Sequence, residues 1–422
     1  MAQHWGSLGA GLDNGAYVIV YDSARNVLYG FGSYTSDTIL LNYCGQWDGS
    51  NWAPLGSGIN GIYDVNEACM YRGDLYVGGY FNSIGGITCN GIARWNGTQW
   101  LQVGIGLSAG VNSFTLLNNE LYFASNFGPT PGFTGIAGYG IFKWDGNSIQ
   151  VVDTTSRLRY RHLINFNDTL YSVSSLEDDT VLEDAVRKWT GIGWEKIGLD
   201  FNRDTASAYA VTVYNSQLYV AGVNSFNDKA ALYKWDNTNW RKETPYLNGN
   251  IRALQEFNGK LYVAGLYDYA GTLYTRSIAT WDGSQWSALA DTGIFGDVYC
   301  LAKSNSLLYA GGNFGRAGNV STKGITYYSL ENLPPDNIIT DDKYIVVYPS
   351  LAFDEIVIDI SHTDTTAKTL NIYNTPGQIV FSNNISYNEE KIKVNISELA
   401  QGNYFVEIAG PDKKYYSKII KR

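Results

Sequence analysis

The chain has 422 residues, which points to two or three domains and is ample for a large core. Aromatic content of 14%, 46 Gly and only 17% charged residues fit an all-β protein with frequent tight turns and exclude a disordered chain. A net charge of −10 argues against nucleic acid as a partner, because phosphate binding needs clustered Lys and Arg.

The N-terminal residues Met1-Ala2-Gln3-His4-Trp5 contain neither a basic n-region nor an apolar h-region, and the chain has no run of 18 apolar residues. Such a start fits either a cytosolic protein or one whose signal peptide has been removed, with Met1 then an added residue. His4-Trp5-Gly6-Ser7-Leu8-Gly9 matches Trp52-Ala53-Pro54-Leu55-Gly56 further on, so it reads as the last strand of a repeat.

The tryptophans define that repeat. One set is Trp47, Trp95, Trp144, Trp189, Trp235 and Trp281, at spacings of 48, 49, 45, 46 and 46, continued by Tyr328 after 47. A second set lies five residues later at Trp52, Trp100, Ile149, Trp194, Trp240 and Trp286. Leu-Tyr recurs seven times, at Leu28, Leu75, Leu121, Leu170, Leu218, Leu261 and Leu308. Three markers therefore agree on seven repeats of about 47 residues, a period that fits the four-stranded blades of a propeller.

Each repeat reads as strands A to D. In the second, A is Val65–Tyr71, B is Leu75–Gly79, C is Ile92–Trp95 and D starts at Trp100. Asp48-Gly49, Asn96-Gly97, Asp145-Gly146 and Asp282-Gly283 follow the strand-C Trp and suit hairpin turns. The last repeat lacks a strand D, because Leu333-Pro334-Pro335 ends it. The N-terminal strand is expected to complete that repeat and close the ring. Leu75-Tyr76-Val77-Gly78-Gly79 and the aromatic residues of strands C and D resemble Kelch-type propellers, a likeness that concerns fold alone.

Chemistry is sparse in the repeats. Four Cys without a CxxC spacing and three dispersed His (His4, His162, His362) argue against a zinc site. Cys69 and Cys89 share a repeat and are candidates for pairing in an exported protein; buried thiols are the plainer reading. Glu177-Asp178-Asp179-Thr180-Val181-Leu182-Glu183-Asp184 offers oxygen ligands for Ca²⁺ but lacks calcium-loop spacing, so a solvated loop is the plainer reading. Arg72-Gly73-Asp74 is an integrin-type tripeptide in a position that other repeats fill with ordinary turns. No residue is assigned a catalytic role.

The A–B and C–D turns are uniformly short, whereas the B–C and D–A loops vary, and in a four-stranded blade these share one face. Phe133 and Tyr139 belong to the long loop at 125–140, and Tyr267, Tyr269 and Tyr274 to a Tyr-rich loop in the sixth repeat. Variable loops on one face are where scaffolds carry binding. Their aromatic rings suit stacking on sugars or binding proteins, and equally suit packing the loops themselves. The leading reading is a binding or adhesion module for a glycan or protein. Alternatives are a glycan lyase or glycosidase, and a component of a gliding or surface assembly.

Residues 331–342 read as a linker, which places the propeller at 1–330. Residues 343–422 hold nine basic and nine acidic residues, so the propeller carries the whole charge imbalance. Short alternating strands there predict a small Ig-like sandwich. Val347-Tyr348-Pro349, Leu370–Asn374 with Gly377-Gln378-Ile379-Val380, Gly402-Asn403-Tyr404-Phe405 and the basic end Lys418-Ile419-Ile420-Lys421 resemble the type A sorting domain of the type IX secretion system of Bacteroidetes. The chain departs from that pattern in Pro349-Ser350-Leu351, where Pro-Asn-Pro is usual, and in a final Arg422. The resemblance implies Sec export, capture of the domain by the translocon and an outer-membrane shuttle protein, and sortase attachment to a lipopolysaccharide at the cell surface.

Overall fold

The computed structural model describes residues 4–12, 15–32, 41–59, 65–126, 136, 139–156, 158–176, 183–202, 208–224, 229–289, 293–329, 346–348, 351–352, 354–360, 368–374, 378–385, 391–410 and 414–421. The chain divides into two compact units, 1–333 and 334–422. Both are built from strands, so the all-β expectation holds, and no helix among the described residues is long and apolar enough to cross a membrane.

Among the described residues, the first unit contains six four-stranded antiparallel sheets and a seventh whose four-stranded path carries an extra short strand, Val320–Ser321. We number them I to VII by their first strands: Ala16–Asp22, Val65–Tyr71, Val111–Leu117, Leu158–Phe166, Ala208–Tyr214, Asn250–Phe257 and Ile294–Lys303. Each of these strands packs against the first strands of the sheets before and after it, and sheet VII closes the cycle on sheet I. Sheet VII takes its fourth strand from the N-terminus: His4–Ser7 pairs antiparallel with Ile325–Ser329.

The repeat markers follow from this packing. Neighbouring residues of a strand point to opposite faces. Leu75 and Tyr76 are both buried, as are Leu261 and Tyr262, because a neighbouring sheet covers each face. The two tryptophan sets are cross-strand partners: Trp47 faces Trp52, Trp95 faces Trp100 and Trp281 faces Trp286, with ring centroids 5.2–5.7 Å apart. The hairpin between them is held twice over. Gly49, Gly97 and Gly283 take φ near +100°, and Asp48, Asn96 and Asp282 each accept two backbone N–H groups of the turn through the side-chain Oδ1. The backbone donors of Gln285 and Ser284, with the Ser284 hydroxyl, hold the Asp282 carboxyl down at about 2.

The second unit is a two-sheet sandwich. Val346–Tyr348, Glu355–Asp359 and Lys391–Asn395 form one sheet; Leu351–Ala352, Lys414–Lys421, Gly402–Ala409, Lys368–Asn374 and Ile379–Ile385 form the other, in that order. Ile356, Ile358 and Val394 from the first sheet and Leu370, Ile372, Val406 and Ile408 from the second share one core.

Candidate ligand face

All seven first strands carry the same irregularity. In each, one extra residue is inserted against the second strand, at the end that adjoins the B–C and D–A loops. The inserted residues are Tyr17, Asn66, Asn112, Arg161, Tyr209, Arg252 and Tyr299. A bulge adds local twist and re-aims a side chain, and bulges gather at rims and functional sites. Three Tyr, two Asn and two Arg occupy the seven positions, with no acid and no aliphatic residue among them.

Several of these side chains meet across sheet boundaries. Tyr17 of sheet I and Tyr299 of sheet VII stack with centroids 5.0 Å apart and planes at 26°. The Arg252 guanidinium of sheet VI lies 5.3 Å from the Tyr299 centroid, and its Nε donates to the Asp297 carboxylate at 2.9 Å. The Asn66 amide donates to the carbonyl of Val111 in the next sheet at 3.0 Å. Asn112 Oδ1 is buried and has no donor among the described residues.

Glu67 follows the bulge of sheet II. Burial of its carboxyl pushes it up to about 7, against the opposing pull of hydrogen bonds from Ser113 and from the Phe114 N–H at 2.9 Å.

A cleft of about 550 Å³ opens on the same face between sheets VI and VII, lined by Asn248, Asn250, Asp268, Arg276, Ser277 and Phe295 among others. Beside it, Tyr269–Ala270 and Leu273–Tyr274 form a small hairpin in which Tyr269 pairs with Tyr274, rings 5.3 Å apart. Tyr269 and Tyr274 are 43% and 38% exposed. Tyr267 differs from both. It is 4% exposed and its hydroxyl donates to the Val263 carbonyl at 2.6 Å, so the ring packs in the core beneath the face. Tyr139 opens a strand opposite Asn126, and Phe133 lies outside the described residues.

Arg72 and Gly73 form a hairpin turn with φ of 49° and 82°. The Arg72 guanidinium donates to the carbonyls of Asp145 at 2.7 Å and Asn119 at 3.3 Å, which ties the tripeptide to the neighbouring sheet. All four cysteines are free, so Cys69 and Cys89 form no disulfide; Cys89 packs in the core between sheets I and II while Cys69 borders the core between II and III. Of the acidic stretch, 177–182 lie outside the described residues and Glu183-Asp184 open a strand; no group of three candidate metal ligands occurs among the described residues. His4 lies in the N-terminal strand with its ring 6.5 Å from Tyr327, His162 lies in the first strand of sheet IV, and His362 is outside the described residues.

In the second unit Gly402-Asn403-Tyr404-Phe405 and the basic end are strand neighbours. Gly402 faces Lys421, Tyr404 faces Ile419 and Phe405 faces Lys418. Tyr404 is buried and donates to the Ala400 carbonyl at 2.8 Å. Leu351-Ala352 pairs in parallel with Ile420-Lys421, which brings the start and end of the unit together. Tyr348 faces Val357; Pro349 and Gly377 lie outside the described residues.

The bulge set and the approach of Arg276 and Arg316 to the cleft residue Phe295 were not evident in the sequence. Bulge position depends on register with a partner strand, and Arg276, Phe295 and Arg316 come from separate parts of two repeats.

Residues 346–422 match the family model of the secretion system C-terminal sorting domain. No curated protein matches the chain. Among solved structures, the chain is similar to the GH74 enzyme of Niastella koreensis at 13% identity, with 98% of this chain and 72% of that one covered and a TM-score of 0.48. It is also similar to an oligogalacturonate lyase of Vibrio parahaemolyticus (8% identity, 78% and 97% covered, TM-score 0.48) and to Saccharomyces cerevisiae Sqt1 (11%, 100% and 99%, 0.41). The chain thus ends in a sorting domain of the type IX secretion kind, which implies export and a secreted or cell-surface fate.

Proposed function

We propose that the first unit is a seven-bladed, Kelch-like propeller that binds a glycan at the surface of the cell, and that residues 343–422 carry it there. The observation that supports binding is the ring of seven bulges. Each first strand gives up regular pairing at the same place and sets a Tyr, Asn or Arg there. Tyr rings can stack on sugar faces, and Asn and Arg supply hydrogen bonds to hydroxyl and acidic groups. The buried acceptor of Asn112 adds a polar group without a donor of its own. In this reading the type IX translocon, an outer-membrane shuttle protein and a sortase handle the second unit, and the linker at 331–342 is where a sortase acts.

The test of binding is a glycan array probed with the whole chain, with and without Ca²⁺. Retention on one glycan class, lost in a Tyr17→Ala/Tyr299→Ala double variant, supports the reading. No retention on any glycan overturns it and directs the search to a protein partner; shortening of the bound glycan would move the reading to an enzyme. The test of export is removal of 343–422, which should trap the propeller in the periplasm; normal surface display of the truncated chain would overturn that part.

A further inference from the structure

Phe295, in the first strand of sheet VII, has two cations close to its ring. The Arg276 guanidinium carbon lies 4.0 Å from its ring centroid and that of Arg316 lies 3.7 Å from it. Like charges this close repel each other. Neither arginine has a carboxylate partner among the described residues; the Arg276 Nε donates instead to the neutral hydroxyl of Tyr274. Arg252 on the same face shows the contrast, since Asp297 neutralises it. The whole chain carries 40 acidic residues against 30 basic ones, so carboxylates to pair with are not scarce. Arg276 and Phe295 line the cleft, and Arg316, which stacks on Phe295, is exposed. Asp268, also exposed, is the carboxylate that lines the cleft with them.

A guanidinium stacked on a ring keeps its N–H groups free to bind an anion bidentately. Two of them on one ring, relieved of mutual repulsion only when an anion arrives, make an anion subsite. Arg276 links it to the aromatic hairpin through Tyr274, and Tyr269 and Tyr274 expose ring surface beside it. Aromatic rings next to an anion subsite fit a sugar that carries an acidic group.

We infer that the cleft between sheets VI and VII binds an acidic polysaccharide, with its carboxylate or sulfate held by Arg276 and Arg316 and a sugar ring against Tyr269 and Tyr274. This rests on the glycan-binding reading and narrows it to one substrate class.

The experiment is affinity electrophoresis of the whole chain at 0.15 M NaCl through gels containing alginate, dextran sulfate or neutral dextran. The expected result is retardation by alginate, dextran sulfate or both, and none by dextran. Alginate alone identifies a carboxylate, and dextran sulfate alone a sulfate. The Arg276→Gln/Arg316→Gln double variant should bind at least tenfold more weakly, and circular dichroism should show it folded, since Arg316 is exposed and Arg276 partly so. Tyr269→Ala should weaken binding while leaving both arginines in place. Undiminished retardation of the double variant would overturn the site. Equal retardation by dextran, or array binding confined to neutral glycans, would overturn the acidic class and leave the broader reading standing; no binding to any glycan on the array would overturn both.

Discussion

Trp5 lies against Tyr328 with ring centroids 4.7 Å apart, and the two residues are direct partners in an antiparallel pair that joins the two ends of the first unit. Trp5 is 3% exposed and packs into the core shared by sheets VI and VII. Without the N-terminal strand, the last sheet would present an open edge. Trp5→Ala removes a buried aromatic side chain and the ring contact together, and we expect it to cost about 3–5 kcal/mol. Urea denaturation of the whole chain measures this; a loss below about 1 kcal/mol would mean that the clasp contributes little.

Glu67 gives the first unit a pH dependence of unusual sign for a carboxylate. Its folded value of about 7 lies above the ordinary value, so the fold favours the protonated form. Stability is therefore full below the unfolded value and falls as pH rises from about 4.5 to about 7, where the carboxylate charges against its desolvation. Glu67→Gln removes the charge and keeps an acceptor for the Phe114 N–H. The variant should match the natural chain at pH 4.5 and exceed it at pH 8 by on the order of 3 kcal/mol. Equal urea midpoints at both pH values would show that the carboxyl is solvated.

The four thiols should be silent in the folded protein. Burial pushes Cys44 and Cys89 up to about 12 and raises Cys69 and Cys300 as well, so thiolate is scarce at any physiological pH. A thiol reagent at pH 8 is expected to label none in the native chain and all four in guanidinium. Labelling of only two after unfolding would reveal a disulfide between Cys69 and Cys89 after all.

What the sequence discloses and what it hides divide along one line. Trp95 and Trp100, or Leu75 and Tyr76, are legible because their roles are set by spacing along one chain segment. The hairpin fixes the first pair and strand alternation fixes the second. The bulges at Tyr17, Asn66 and Tyr299 are set by hydrogen-bond register with another strand, and no residue type announces them. The Tyr-rich loop shows the same limit at short range. Tyr267 turns into the core while Tyr269 and Tyr274 turn out, because the intervening hairpin, not the composition, decides which way each ring faces. Arg276 and Arg316 share the Phe295 ring only because two sheets pack side by side. In the second unit, the Gly402–Phe405 motif was legible as sequence, and its pairing with Lys418–Lys421 needed the fold.

Glu407 is the buried polar centre of the second unit. It is 3% exposed, and its Oε1 accepts from the Asn371 amide and the Tyr373 hydroxyl, each at 2.9 Å. It sits in the strand that carries Tyr404 and Phe405, opposite Asn371 and Tyr416. Glu407→Ala would remove this acceptor from two half-buried donors, at a cost of about 1 kcal/mol for each hydrogen bond lost. Because 334–422 is a compact unit of its own, the loss should stay within it. Hydrogen exchange should speed up across 368–374 and 402–409 and remain unchanged in the first strands of sheets I to VII. Glu407→Gln keeps one acceptor oxygen and should restore most of the protection. Export should follow the same order, with Glu407→Ala displayed least at the surface; full display of Glu407→Ala despite rapid exchange would separate the stability of this strand from recognition of the sorting signal.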